Sequence, residues 1–186
     1  MIRSFKTEGI IIKRRNFGEL DRILTVLTKT NGKIQVRAPG VRKITSRRSS
    51  HIELLNLCIL TLYKSSRSLF AIVTEAQTLE NFLPIKNNLP KVGFAYYVCE
   101  LVDKLCAERD ENKNIFFLLR ETLYRLVNNY DVGSIIKDFE NELLANLGFL
   151  PKMHGIIDKQ AFIENILERR LITKRLIPLF LDKGKC

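Results

Sequence analysis

The stretch Arg22–Ile52, RILTVLTKTNGKIQVRAPGVRKITSRRSSHI, decides how this chain is read. It contains no Asp or Glu and carries eight cations, Arg22, Lys29, Lys33, Arg37, Arg42, Lys43, Arg47 and Arg48. Ile23, Thr25 and Leu27, then Ile34, Val36 and Ala38, alternate as half-buried strands do. Between them stands Asn31-Gly32, a pair that tolerates the positive φ of a tight hairpin. The cations therefore ride on a β-scaffold rather than on a tail.

Strand signals continue on both sides of the hairpin. Thr7 to Lys13, with Ile10, Ile11 and Ile12 in a row, predicts a preceding strand, and Phe17-Gly18-Glu19 predicts the turn that follows it. The hairpin strands run from about Leu20 to Thr28 and from Lys33 to Ala38, where Pro39-Gly40 stops the second. Val41 to Ser50 is polar, Ser-rich and basic, which predicts a mobile surface loop. His51 to Tyr63 and Leu69 to Leu79 supply two further strands around a turn at residues 64–68. No helical pattern interrupts these five strands, which excludes βαβ units and predicts antiparallel neighbours. Closure into a small barrel is the economical arrangement, because it removes exposed edges.

Near Pro84 the period changes. Val92, Ala95, Cys99, Val102, Leu105 and Cys106 recur at helical spacing, with Asn88 as cap and Pro90 in the first turn. A second helix is predicted from its cap Asn114 to Asn128, and a third after Ser134 through Leu147. Asp158 would cap a fourth, and Thr173 to Ile177 a last segment interrupted by Pro178. The expectation is an α+β chain: a five-stranded antiparallel barrel over 1–80, a linker over 81–89 and an α-helical bundle over 90–186.

The charge divides the same way. Of a formal net charge of +11, residues 1–80 hold 15 Lys/Arg against 6 Asp/Glu, and residues 81–186 hold 16 against 14. Excess charge confined to the barrel argues for a polyanion facing it, nucleic acid being the commonest. No apolar run approaches the ~20 residues of a membrane span, so a cytoplasmic protein without membrane contact is expected. Cys58, Cys99, Cys106 and Cys186 lack metal-binding spacing and are read as core residues.

The chemistry of an enzyme is missing from the pattern. Walker and G-x-G-x-x-G loops are absent, and neither His51 nor His154 sits in a catalytic motif. The carboxylate pairs Glu100/Asp103 and Asp138/Glu140 read as solvated helix faces. No cofactor, metal or small-molecule substrate is expected. A binding surface remains: Lys33, Arg37, Arg42, Lys43, Arg47 and Arg48 are the leading candidates for phosphate contact, with Arg14, Arg15 and Arg22 next. Phe17, between Arg14-Arg15 and Gly18, is the candidate for base stacking, against the alternative that it plugs the barrel end.

Several of these segments together resemble a known family. Thr7-Glu8-Gly9-Ile10-Ile11-Ile12-Lys13, Asn16-Phe17-Gly18-Glu19, Asp21 to Thr28, Asn31-Gly32-Lys33-Ile34 and Ala38-Pro39-Gly40-Val41-Arg42 resemble the N-terminal OB domain of the RecO family of bacterial DNA repair proteins. Leu57 to Tyr63, Thr74-Glu75-Ala76, Tyr97 to Leu105 and Phe139 to Phe149 agree with it. The resemblance implies a non-enzymatic mediator of the RecF pathway, nucleoid-associated, that binds single- and double-stranded DNA and anneals strands coated by single-strand-binding protein. It also implies partnership with RecR in loading RecA, and docking of the single-strand-binding protein's C-terminal tail on the helical part. Many members carry a four-cysteine zinc module after the position of Gly148-Phe149; no cysteine lies between Cys106 and Cys186, so the module is expected to be missing. The other readings are an adaptor gripping acidic protein tails and an RNA-binding barrel.

Overall fold

The computed structural model describes residues 3–128, 131–149 and 159–168, together with 170, 171 and 173. These form two compact units: Met1–Phe82 with Ala107–Phe117, and Leu83–Cys106 with the described residues from Leu118 onward.

The first unit is a closed barrel of β1 (Arg3–Phe17), β2 (Asp21–Thr28), β3 (Gly32–Ala38), β4 (Leu57–Lys64) and β5 (Ala71–Glu80), in the order β1-β2-β3-β5-β4. β1 is far longer than the predicted Thr7–Lys13 because it serves two neighbours. Its first half pairs with β4 from Arg3↔Lys64 to Ile10↔Leu57, and its second with β2 from Gly9↔Thr28 to Phe17↔Asp21. A register shift between Ile11 and Lys13 marks the bend between them. Gly9 lies at this corner, where a Cβ would fall 2.5 Å from Val26 Cγ1. Inward-facing Leu24, Val26, Val36, Leu60, Leu62 and Val73 are fully buried and fill the interior.

The expectation that all neighbours are antiparallel is corrected at one seam. Every other pairing is antiparallel, but β3 and β5 run parallel, through Val36↔Ala71 and Arg37↔Ile72. An odd number of strands cannot alternate direction all the way round a closed ring, so one pair must be parallel. The ladder ends where Pro39, which has no N–H to donate, follows Ala38. There the Arg48 guanidinium joins β5 to the residue just past β3, with Nη1 donating to Val73 O at 2.5 Å and Nη2 to Pro39 O at 2.8 Å. The 41–50 segment that carries Arg48, read as a surface loop, is a run of turns, Lys43 N to Gly40 O, Ser46 N to Lys43 O and Ser49 N to Ser46 O.

The fourth strand starts at Leu57, later than the predicted His51. A 3-10 turn over Ser50–Ile52 comes first, and buried Asn56 donates to the carbonyls of Ser50 and His51. The hairpin closes at Thr28↔Gly32 with Lys29, Thr30 and Asn31 as its loop. Gly32 has φ +61, and a Cβ there would lie 2.7 Å from the carbonyl carbon of Asp110 and closer still to its oxygen. The Asp110 strand-like segment belongs to residues 107–117, expected among the helices but packed with the barrel: Arg109 N donates to Lys33 O at 2.9 Å, and Gln35 Nε2 to Glu108 Oε1 at 2.5 Å.

In the second unit, α1 (Leu83–Lys86) occupies part of the expected linker and is followed by α2 (Leu89–Leu105). Asn88 caps α2, its side chain accepting from Lys91 N at 3.1 Å. Then come α3 (Lys113–Asn128), whose first turn through Phe117 lies in the barrel unit, α4 (Val132–Asn146) and α5 (Lys159–Leu167). The predicted cap Asn114 is instead a residue whose N–H is capped, by Asn112, and Asp131 caps α4 through Ser134 N, a few residues before the predicted start after Ser134. Tyr97 on α2 donates to buried Glu140 on α4 at 2.6 Å, and Lys91 donates to Val127 O at the end of α3. Asp158 as a cap, and Thr173–Ile177 beyond its first residue, lie outside the described residues.

Two substitutions test this account. Gly32→Ala adds a left-handed alanine and a backbone clash, and should cost more than about 2 kcal/mol in urea unfolding. Arg48→Ala leaves strand carbonyls without donors and should cost about 1–3 kcal/mol; an unchanged midpoint would remove its role as clamp.

Candidate nucleic-acid interface

The turn end of the barrel gathers most of the candidate cations, and the pleat sorts them by side. Register places Arg15, Ile23 and Arg37 in one row across β1, β2 and β3, with Phe17 and Asp21 the next row on that outer face. Arg37 forms an ion pair with Asp21, Nη2 to Oδ2 at 2.6 Å, and its guanidinium lies 5.4 Å from the centre of the Phe17 ring. Phe17 is 39% exposed, so it does not plug the barrel. The other Asp21 oxygen accepts from Gly40 N at 2.8 Å, which ties the 38–44 turn to the 18–20 turn. Arg42 reinforces the link, its backbone N donating to Leu20 O at 2.9 Å and its guanidinium to Gly18 O at 3.2 Å. Arg42 and Lys43 are thereby held, exposed, next to the outer row, and Arg47, also exposed, follows in the same run of turns.

Not every candidate joins this group. Arg14 and Arg22 alternate onto the inward side, where the two oxygens of Glu53 take one guanidinium each, Arg22 at 3.2 Å. Arg48 is committed to strand carbonyls. Lys33 sits at the far end of β3, is only 7% exposed, and cannot lie on the same surface track. Arg15 and Arg47 have no hydrogen-bond or ion-pair partner among the described residues, and Arg42 and Lys43 have no direct carboxylate partner there. Of the nine candidates, these four are left without a carboxylate ion pair and without burial among the described residues.

Asp21 organises the site. Its carboxyl is held below the usual carboxylate range, first by the Gly40 N–H, against the opposing cost of burial, and then by the hydrogen bond and charge of Arg37 and the charge of Lys43. Sequence reasoning missed Asp21 as a partner, although its position diagonal to Arg37 follows from the hairpin register; Glu53 gave no local signal. His51 has Nδ1 accepting from Thr78 N at 3.3 Å and lying 2.9 Å from Thr78 Oγ1.

Other features do not compete with this surface. A cleft of about 500 Å3 opens on the barrel between Phe5, Ile34, Gln35, Phe70 and Glu108, but it shares no residue with the cation cluster and its charged lining is mixed. Among the described residues no group of three His, Cys, Asp or Glu could hold a metal ion, and no helix is long and apolar enough to cross a membrane. Cys58, Cys99 and Cys106 are buried and free, and burial pushes the Cys58 and Cys99 thiols up to about 12; Cys186, His154 and the segment following Phe149, where the zinc module was expected to be missing, lie outside the described residues.

The model for the N-terminal part of recombination protein O matches residues 1–82, and that for its C-terminal part matches residues 86–155. The chain belongs to the RecO family. A DNA repair protein RecO from Roseiflexus sp. (strain RS-1) is 40% identical over 152 residues, 82% of this chain and 53% of the relative. Those from Dehalococcoides mccartyi (strain ATCC BAA-2100 / JCM 16839 / KCTC 5957 / BAV1) and Pelotomaculum thermopropionicum are 39% and 33% identical, over 80% and 81% of this chain and 58% and 57% of the relatives. The chain spans a little over half the length of the curated relatives it matches. Its five-stranded barrel is the OB domain of RecO, and the family match to that domain ends at Phe82, immediately before α1.

The Asp21 network carries a pH signature. Because its folded pKa lies below the unfolded value of about 3.9, its stabilisation is complete above that pH and is lost as pH falls through the folded value. Asp21→Asn should cost about 1 kcal/mol at pH 7, discounted for solvent at Arg37, with the difference from wild type shrinking in urea unfolding below about pH 4.

Proposed function

We propose that this RecO-family chain acts in DNA repair as a non-enzymatic mediator that binds single- and double-stranded DNA through the turn end of its OB barrel. The observation that carries the reading is the set Arg15, Arg42, Lys43 and Arg47, exposed and without a direct ion pair to a carboxylate among the described residues, on the outer row and turns that flank the Arg37–Phe17 stack. A phosphodiester chain laid there meets guanidinium and ammonium groups, while Phe17 offers the flank of its ring to a base. Few aromatics line the surface, so phosphate contacts dominate and sequence preference is weak.

The finer reading extends the family resemblance. In it the chain belongs to the RecF pathway, anneals complementary strands coated by single-strand-binding protein, docks that protein's C-terminal tail on the helical unit, and works with RecR to load RecA. It needs no cofactor and acts in the cytoplasm at the nucleoid. The names of the relatives, DNA repair protein RecO, support the repair role.

The test is a salt titration of binding to matched duplex and single-stranded oligonucleotides. The triple variant Arg42→Ser, Lys43→Ser, Arg47→Ser, which leaves the Arg48 clamp in place, should lower the log-log salt slope by about 2.7 on duplex and about 2.1 on single strands, at ~0.9 and ~0.7 per contact. Its thermal midpoint should match wild type. Unchanged affinity would remove the barrel end as the DNA surface.

A further inference from the structure

Large apolar side chains share the barrel end with the cations. Phe17 is 39% exposed, Leu20 is 42% exposed, and Ile44 at 105% is wholly in solvent. Ile44 follows Arg42-Lys43 directly and precedes Arg47 by three residues. Local structure does not account for it: a β-branched residue has no advantage in a run of turns, where Ser, Asn, Asp and Gly are favoured. Nor does packing, because nothing is buried by it. The turn holds its shape through other groups, Arg42 N to Leu20 O, Lys43 N to Gly40 O, Ser46 N to Lys43 O, and the Arg48 guanidinium on Pro39 O and Val73 O. An apolar side chain is thus presented from a braced turn, projecting rather than recessed, with cations on both sides along the chain.

We propose that Ile44 is a wedge that inserts against unstacked bases while Arg42, Lys43 and Arg47 hold the flanking phosphates. Resting on the DNA-binding reading above, this adds a base-contacting residue and a preference for strands whose bases are already free. A projecting side chain must enter its partner. A gap between neighbouring bases accepts an apolar wedge, and opening that gap is cheapest in single strands. An acidic peptide with an apolar end would instead need a recess to receive it, and the wholly exposed Ile44 offers none. Arginines also predominate around the wedge, and their planar groups suit phosphate oxygens and base faces better than a lysine cluster would.

The full chain is titrated against a single-stranded oligonucleotide carrying 2-aminopurine, the matching duplex, and a fluorescent acidic peptide ending in Phe. Wild type should raise 2-aminopurine emission as the base leaves its stack. Ile44→Ser should lower single-strand affinity about tenfold and abolish the rise, with the salt slope unchanged and duplex affinity within about twofold of wild type. Ile44→Phe should keep both affinity and emission. The substituted side chain is solvent-exposed, so an unchanged melting temperature is expected and checked alongside. Wild-type affinity and emission in Ile44→Ser would overturn the wedge and leave the phosphate surface standing, as would loss of peptide binding alone. Failure of the wild-type chain to bind either oligonucleotide would overturn the DNA reading and the wedge together.

Discussion

The closing seam between β3 and β5 is the constraint on which the rest of the barrel depends. Five strands cannot alternate direction around a ring, so one pair must run parallel, and here that pair is only two residues long. Beyond it Pro39 has no N–H to offer, and Arg48 reaches from the following turns to satisfy the Val73 carbonyl on β5 and that of Pro39 just past β3. A cation that composition alone assigns to DNA is thereby spent on the fold. Its presence in that place fixes the base of the turns that carry Arg42, Lys43 and Arg47.

Electrostatics at this end works by selective neutralisation. Glu53 binds Arg14 and Arg22 on the inner side, and Asp21 binds Arg37 on the outer, so guanidiniums needed to knit the barrel end are kept from repelling one another. Among the candidate cations, Arg15 on the outer row and Arg42, Lys43 and Arg47 on the adjoining turns have no direct carboxylate partner among the described residues. A field made in this way is local and directed, unlike one produced by spreading basic residues over the whole surface.

How much of this was legible depended on range. The hairpin, the interruption at Pro39-Gly40 and the Asn88 cap were readable because each is settled within a few residues. The length of β1 was not, since a strand that turns a barrel corner obeys two sets of neighbours. The parallel seam follows from counting strands, yet no residue at Val36 or Ala71 announces it. Lys33 looked like a surface cation by composition, but its backbone joins residues 107–117, more than seventy positions away, and that pairing leaves it buried. One cap failed more narrowly: Asn112 won over Asn114, two residues later, because either polar residue could begin the helix.

The return of residues 107–117 to the barrel bears on how the chain is born. Gly32 and Lys33 meet a strand-like edge supplied from beyond α2, so the OB unit is discontinuous and its last piece leaves the ribosome well after its fifth strand. Vectorial synthesis favours domains that complete in order from the N-terminus. Here the nascent barrel waits with one flank unfinished until Phe117 has emerged, which makes the interval of translation between Phe82 and Phe117 the period in which that flank is open to a neighbouring nascent chain.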